Sequence, residues 1–129
     1  MLINQPVTIL LHHEAGSSMY EGLLTQHEEA WTITYQEDDE AWMTTHTRVS
    51  LLQGKPTTMT IVREGDINSQ LIFIEGELTV GFYQLPQGRL DLSLTTRKLA
   101  MSVEERLVTV TVNALVQEEP SNFVMTISW

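Results

Sequence analysis

Apolar and polar side chains alternate with a period of two along most of this 129-residue chain. The cleanest example places Trp31, Ile33 and Tyr35 on one parity. Thr32 and Thr34 lie between them on the other parity. Successive side chains of a β-strand point to opposite faces, so this pattern predicts strands that each bury one face. Very little of the chain has a helical period, and turn residues interrupt the alternation at short intervals.

The alternation predicts about ten strands within a single domain over residues 1–129. The predicted strands cover residues 6–13, 19–25, 30–36, 44–53, 57–64, 67–74, 78–85, 89–101, 108–116 and 123–129. We expect the first turn at residues 16–18 and the last at residues 120–122. The apolar face changes parity between Leu94 and Leu99, which predicts a β-bulge or sharp bend near residues 96–98.

The predicted connections are mostly short enough for hairpins, and this favours an antiparallel meander. An open sheet of this size would expose two edges and one apolar face, whereas a closed barrel removes both problems. A β-sandwich is the competing architecture, but its Greek-key crossings usually need a long connection, and none is visible. The sequence therefore predicts an all-β protein whose meander closes into a barrel.

Composition narrows the class of partner. The formal charge is −10, from 17 acidic against 7 basic residues, and this charge disfavours nucleic acid and anionic membranes. Cysteine is absent, which removes disulfides, thiolate metal sites and cysteine nucleophiles. Because the first residues also lack the basic segment of a signal peptide, we expect a cytoplasmic protein.

The histidines and acidic residues suggest metal binding only weakly. His12 and His13 are adjacent, so on a regular strand they point to opposite faces and cannot share one ion. His12 and Glu14 could share one with a third ligand from His27 or His46, but no spacing requires it. The acidic run 37–40 lacks the glycine and the alternating ligands of a calcium loop, so a solvated loop is expected. We predict no metal and no other cofactor.

Catalytic motifs are also missing. Ser17 and Ser18 follow a glycine, but they do not form the G-x-S-x-G elbow of a serine hydrolase. Carboxylates are plentiful, yet their pairing in space is not readable from the sequence, so a glycosidase-like pair stays open. With no nucleophile–base pair, the sequence favours a protein without enzymatic activity.

The candidate binding residues are mainly aromatic and lie on the predicted inward faces. Simple core packing is one interpretation, and a ligand cavity inside a barrel of about ten strands is the other. Arg63 shares its face with Met59 and Ile61, and an inward arginine needs a partner, either a glutamate or a ligand carboxylate. The candidate ligand-binding residues are Trp31, Tyr35, Arg63, Tyr83 and Phe123.

The central third of the chain resembles a known family. The matching residues are Arg63, Gly65, Phe73, Gly76, Thr79, Tyr83, Pro86 and Gly88, followed by the leucine-rich segment 90–99. This pattern resembles the YwiB-like domain-of-unknown-function family of Gram-positive bacteria, and the opening strand PVTILL is similar to the family's first strand. The resemblance implies a calycin-like β-barrel, related in shape to lipocalins, with about 8–10 strands. It implies no activity and no catalytic residues.

Two functions follow as expectations. The first is a carrier or sensor that binds a small amphipathic or carboxylate ligand inside the barrel. The alternative is a protein–protein interaction module with a filled barrel, including one that forms a homo-oligomer. A hydrolytic or isomerising enzyme is the third class, and it would need convergent polar groups with shifted pKa values.

Overall fold

The computed structural model describes residues 1–38 and 44–129, and these residues form ten β-strands. The strands are β1 (Leu2–His13), β2 (Gly16–His27), β3 (Ala30–Asp38), β4 (Thr44–Leu52), β5 (Thr58–Gly65), β6 (Asn68–Ile74), β7 (Leu78–Leu85), β8 (Gly88–Glu104), β9 (Leu107–Val116) and β10 (Glu119–Ser128). Nowhere in the described ranges does a helix occur that is long and apolar enough to cross a membrane.

Each strand pairs antiparallel with the next strand along the chain, and β1 pairs with β10 to close the barrel. The predicted antiparallel meander and its closure are therefore confirmed. Closure leaves no free edge along the paired length of the strands, which is the usual advantage of a barrel over an open sheet.

The core consists of the inward-facing side chains of the strands. Ile33 is fully buried while its neighbour Thr34 is exposed, as the alternation predicts. The same holds on β9, where Val108, Val110 and Val112 are fully buried. Each buried aliphatic side chain contributes about 1.5–3 kcal/mol relative to an exposed one, so this inward stripe is the main source of stability.

β8 contains the predicted β-bulge. Its pairing with β9 shifts between Thr96 and Lys98, so Arg97 has no partner on β9. The extra residue changes which parity faces inward, because Leu94 and Leu99 are both buried. One continuous strand therefore supplies both parts of this core face.

Two turns lie elsewhere than the sequence predicted. The first turn is at residues 14–15 rather than 16–18, which belong to β2. The last is at residues 117–118 rather than 120–122, which belong to β10. Gln117 and Glu118 have φ angles of 51° and 67°, which are the left-handed values that a two-residue type I′ hairpin needs. Glycine, serine and proline residues near these hairpins led to the wrong predicted turn positions, because the end of a strand also tolerates these residues.

The two ends of the barrel differ in their connections. The β1–β2, β5–β6, β7–β8 and β9–β10 turns lie at one end, which we call the cavity end. The β2–β3, β4–β5, β6–β7 and β8–β9 connections lie at the other end, which we call the far end.

Candidate functional site

A cavity of about 420 Å³ opens at the cavity end of the barrel. This volume falls within the range of roughly 300–1,000 Å³ that is usual for small-molecule sites. Most of its wall is apolar. The residues around it are Leu11, His13, Glu14, Ala15, Tyr35, Ile61, Arg63, Leu71, Phe73, Tyr83, Leu92, Val116, Pro120, Ser121, Asn122, Phe123 and Met125.

A polar row crosses five neighbouring strands next to this cavity. Its members are direct cross-strand partners, one from each of β3 to β7, and they are Tyr35, Thr47, Arg63, Ser69 and Tyr83. Directly opposite residues of paired strands lie about 4.5–5.5 Å apart, so the register itself places these polar groups side by side. The row gives the mostly apolar interior of the barrel a polar sector.

Arg63 is held by Glu37 within this sector. The Nε atom of Arg63 lies 3.3 Å from Oε1 of Glu37, and the two side chains are 21% and 25% exposed. The hydroxyl of Thr47 donates to the same carboxylate oxygen over 2.9 Å. The terminal amino groups of Arg63 make no hydrogen bond or ion pair within the described ranges. Arg63 is thus oriented through its Nε atom, and none of the described side chains accepts from its terminal donors.

Tyr35 is the group in the row with a displaced pKa. Burial raises the pKa of the Tyr35 hydroxyl far above its ordinary value, and the nearby Glu37 carboxylate raises it further, while Arg63 acts in the opposite direction. The Tyr35 ring also stacks on Tyr20 at a centroid distance of 4.9 Å. Gly22, the β2 partner of Tyr35, leaves space there, since a Cβ at Gly22 would come within 3.1 Å of the Tyr35 Cβ. Tyr35 is therefore a rigid, uncharged hydrogen-bonding group.

Four of the five candidate ligand-binding residues border the cavity, namely Tyr35, Arg63, Tyr83 and Phe123. Phe123 also packs edge-on against Phe73 at a centroid distance of 5.8 Å. Trp31 does not border the cavity. It is a buried residue near the far end of β3, paired with Leu51, and its Nε1 atom has no partner in the described part of the chain.

Sequence reasoning missed three polar residues of this sector: Glu37, Thr47 and Ser69. Thr47 and Ser69 are buried, and the Ser69 Oγ atom has no hydrogen-bond partner among the described residues. A signal for them was present, because Thr47 shares the parity of Val49, and Ser69 shares that of Leu71. An inward polar residue at the end of an apolar stripe indicates such a sector.

The candidate metal ligands do not form a cluster. Over residues 1–38 and 44–129, no group of three or more histidine, aspartate or glutamate side chains is placed to hold an ion. His12 lies on the outer face, where its Nδ1 atom is 2.7 Å from the Ser17 hydroxyl, and His13 lies at the rim of the cavity. The acidic run 37–40 lies partly outside the described residues.

Comparisons with known proteins agree with this architecture. Residues 12–116 match a family described as a domain of unknown function, DUF1934. Among solved structures, the chain is similar to the YwiB protein of Bacillus subtilis, with a TM-score of 0.75 and 16% sequence identity. That alignment covers 96% of this chain and 91% of the YwiB chain. The chain matches none of the curated proteins with which it was compared.

The family match and the structural similarity thus support the same assignment as the resemblance in the central segment. The match spans most of the barrel, from the end of β1 to the end of β9, and includes the whole polar row. This chain belongs to the DUF1934 family, a YwiB-like family of unknown function, and its fold is a calycin-like barrel of ten antiparallel strands.

Proposed function

We propose that this protein binds a small amphipathic carboxylate in the cavity at the cavity end of the barrel. The observation that supports this function most strongly is the position of Arg63 beside an apolar cavity of about 420 Å³. An apolar wall favours the hydrocarbon or aromatic part of a ligand, and a few placed polar groups fix its orientation. The cavity also favours this function over an interaction module with a filled barrel.

The apolar part of the ligand would lie against the inner wall. Ile61, Leu71 and Phe73 are buried core residues that also border the cavity, so the wall continues into the packed core. Phe123 and Tyr83 add aromatic surface nearer the rim. Burial of apolar ligand surface contributes about 25 cal/mol per Å², which gives the main part of the affinity.

The carboxylate of the ligand would bind the terminal amino groups of Arg63. Among the described residues that border the cavity, Arg63 is the one lysine or arginine. A hydrogen bond to a charged group is worth about 1.5–3 kcal/mol, and it is stronger where water is partly excluded. The net charge of −10 repels an anion at long range, so this attraction must act at short range.

Glu37 limits the affinity of this site for an anionic ligand. Its carboxylate already accepts from Arg63 Nε, so a ligand carboxylate must share the guanidinium with it. Two carboxylates on one guanidinium repel each other, and this repulsion weakens anion binding. Removing the charge of Glu37 should therefore tighten the binding of a carboxylate, whereas removing Arg63 should weaken it.

Isothermal titration calorimetry with decanoate and 1-decanol tests this function, because the two ligands share a chain and differ in charge. We expect the wild-type protein to bind decanoate, and Arg63→Met to weaken that binding by about tenfold or more, equal to about 1.4 kcal/mol. Binding of 1-decanol should change by less than about twofold, since it gains little from Arg63. Glu37→Gln should tighten decanoate binding.

Two control variants complete the experiment. Arg48→Met removes an exposed arginine on the outer face of β4 and should leave both ligands unaffected. The double variant Arg63→Met/Glu37→Gln removes the charge that Arg63→Met alone would leave unpaired. If decanoate does not bind the wild-type protein, or binds Arg63→Met equally well, the proposed function is wrong.

A further inference from the structure

The last part of β8 is an open strand edge. β8 has 17 residues, and its pairing with β7 ends at Leu78–Thr95. Beyond that point, residues of the connection between β6 and β7 form hydrogen bonds with the backbone of two β8 residues, Thr96 and Leu99. Thr96 exchanges backbone hydrogen bonds with Gly76 and Glu77, and the Leu99 N–H donates to the Glu75 carboxylate over 3.1 Å. The rest of β8 extends toward the far end with β9 on one side.

Two residues direct free backbone groups out of this edge. In an antiparallel strand, the N–H and C=O of every second residue point to the same side. Since the backbone N–H of Leu99 points to Glu75, the backbone N–H and C=O groups of Met101 and Val103 point to that side as well. In the described part of the chain, no strand or turn pairs with them there. Val103 is 43% exposed, so solvent reaches the edge. An unpaired edge of this kind is a template for another strand.

The sequence of this edge is complementary to itself. Read from residue 97, it is RKLAMSVEE, with two basic residues at one end, two acidic residues at the other and Met101 at the centre. When two copies pair antiparallel about Met101, Lys98 faces Glu104 and Leu99 faces Val103. Opposite charges on facing positions stabilise a strand pair by about 0.2–1 kcal/mol each.

The hydrogen-bond pattern requires the same register. Antiparallel strands form these backbone bonds only when residues whose N–H and C=O groups point out of the edge face each other. In this segment those residues are Leu99, Met101 and Val103. The register centred on Met101 satisfies this condition for all three and also matches the charges. We propose that the β8 edge, residues 98–104, pairs with the same edge of a second copy to form a two-fold symmetric dimer. The two barrels then share a continuous sheet, and the symmetry closes the assembly at two chains.

Charge explains why the second copy pairs at this segment. The whole chain carries a formal charge of −10, so most surfaces of two copies repel each other. Residues 97–105 carry two positive and two negative side chains, so the segment itself is neutral. The contact is small compared with the 1,200–2,000 Å² of stable complexes, so the dimer is weak.

Glu75 competes with the second copy. Its carboxylate occupies the position at the Leu99 N–H that a carbonyl of the partner strand would take. The Glu75 side chain is exposed, so it can rotate away, but the bond it loses weakens the dimer. Glu75→Ala should therefore strengthen association, which is the opposite of the usual effect of deleting a side chain.

Sedimentation equilibrium of the full chain, from about 10 µM to about 1 mM, measures this association. We expect a monomer–dimer equilibrium in the wild-type protein and a stronger dimer for Glu75→Ala. Lys98→Glu and Glu104→Lys each place like charges opposite each other and should raise the dimer dissociation constant about tenfold. The double variant Lys98→Glu/Glu104→Lys restores opposite charges and should recover the wild-type constant.

These variants leave the barrel itself intact, because Lys98 and Glu104 pair with the uncharged residues Asn113 and Leu107 on β9. Arg48→Glu is the matched control, since it changes the net charge as Lys98→Glu does but lies on β4. A monomer at every concentration overturns the proposal. So does an oligomer larger than a dimer, or a dimer that the charge reversals do not weaken or the double variant does not recover.

Discussion

Arg63, Glu37 and Tyr35 form one small electrostatic unit at the rim of the core. A partly exposed ion pair contributes little to stability, in the range of about 0–1 kcal/mol, because solvent screens the charges. The significance of this unit is its position. It fixes the guanidinium of Arg63 at the polar sector of the cavity, and Tyr35 keeps its proton there because burial raises the pKa of its hydroxyl.

Sequence parity predicted part of this unit. It predicted that Tyr35 and Arg63 lie on the inward faces of their strands, and an inward Arg63 required a partner. It did not identify Glu37 as that partner, because the contact depends on the pairing of β3 with β4 and of β4 with β5. A period of two determines the face of a residue but not its cross-strand neighbour.

Tyr35→Phe gives a testable consequence at high pH. Because the folded pKa of Tyr35 exceeds the unfolded value of about 10, the folded chain keeps a proton that the unfolded chain loses. The contribution of Tyr35 to stability is therefore complete below about pH 10 and falls above it, by up to about 1.4 kcal/mol per pH unit. Urea unfolding between about pH 9 and pH 11 should show the wild-type free energy of unfolding falling more steeply than that of Tyr35→Phe. Parallel curves would contradict the raised pKa.

Among the strands, β8 needs its bulge in order to place apolar residues in the core both before and after Arg97. Leu92 and Leu94 before the bulge have the opposite parity to Leu99 after it, and all three face the core because Arg97 is an extra residue. The sequence predicted this feature because a parity change within one apolar strand requires either an inserted residue or a sharp bend. The open edge beyond the bulge was not predictable in the same way, because it depends on where β7 begins to pair.

Deleting Arg97 tests the role of the bulge. Without the extra residue, the segment from Lys98 to Glu104 must either turn Leu99 outward or lose its pairing with β9. We expect the free energy of unfolding to fall by at least the ~2–5 kcal/mol that removing a buried leucine costs. Arg97→Ala is the control, and it should change stability by less than about 0.5 kcal/mol because the side chain is exposed. Chemical denaturation of both variants is the measurement, and equal stability would mean that the bulge is dispensable.

At the scale of the whole molecule, the two ends of the barrel have different properties. The cavity and the polar row lie toward one end, and the open edge of β8 lies toward the other. Ligand binding and self-association are therefore expected to be independent. Strand number, antiparallel order and closure were all predictable from alternation and short connections, whereas the size of the cavity was not, because it depends on how side chains from all strands pack together.

We propose that the ligand binds inside the barrel at the cavity end. The most direct measurement is methyl NMR of the labelled protein during titration with decanoate. We expect the methyl signals of Leu11, Ile61 and Leu92, which border the cavity, to shift and saturate together. The signals of Leu51, Val108 and Ile127, buried toward the far end, should shift much less. If no cavity methyl shifts, or if the shifts lie on the outer face or at the far end, the ligand does not bind in the cavity.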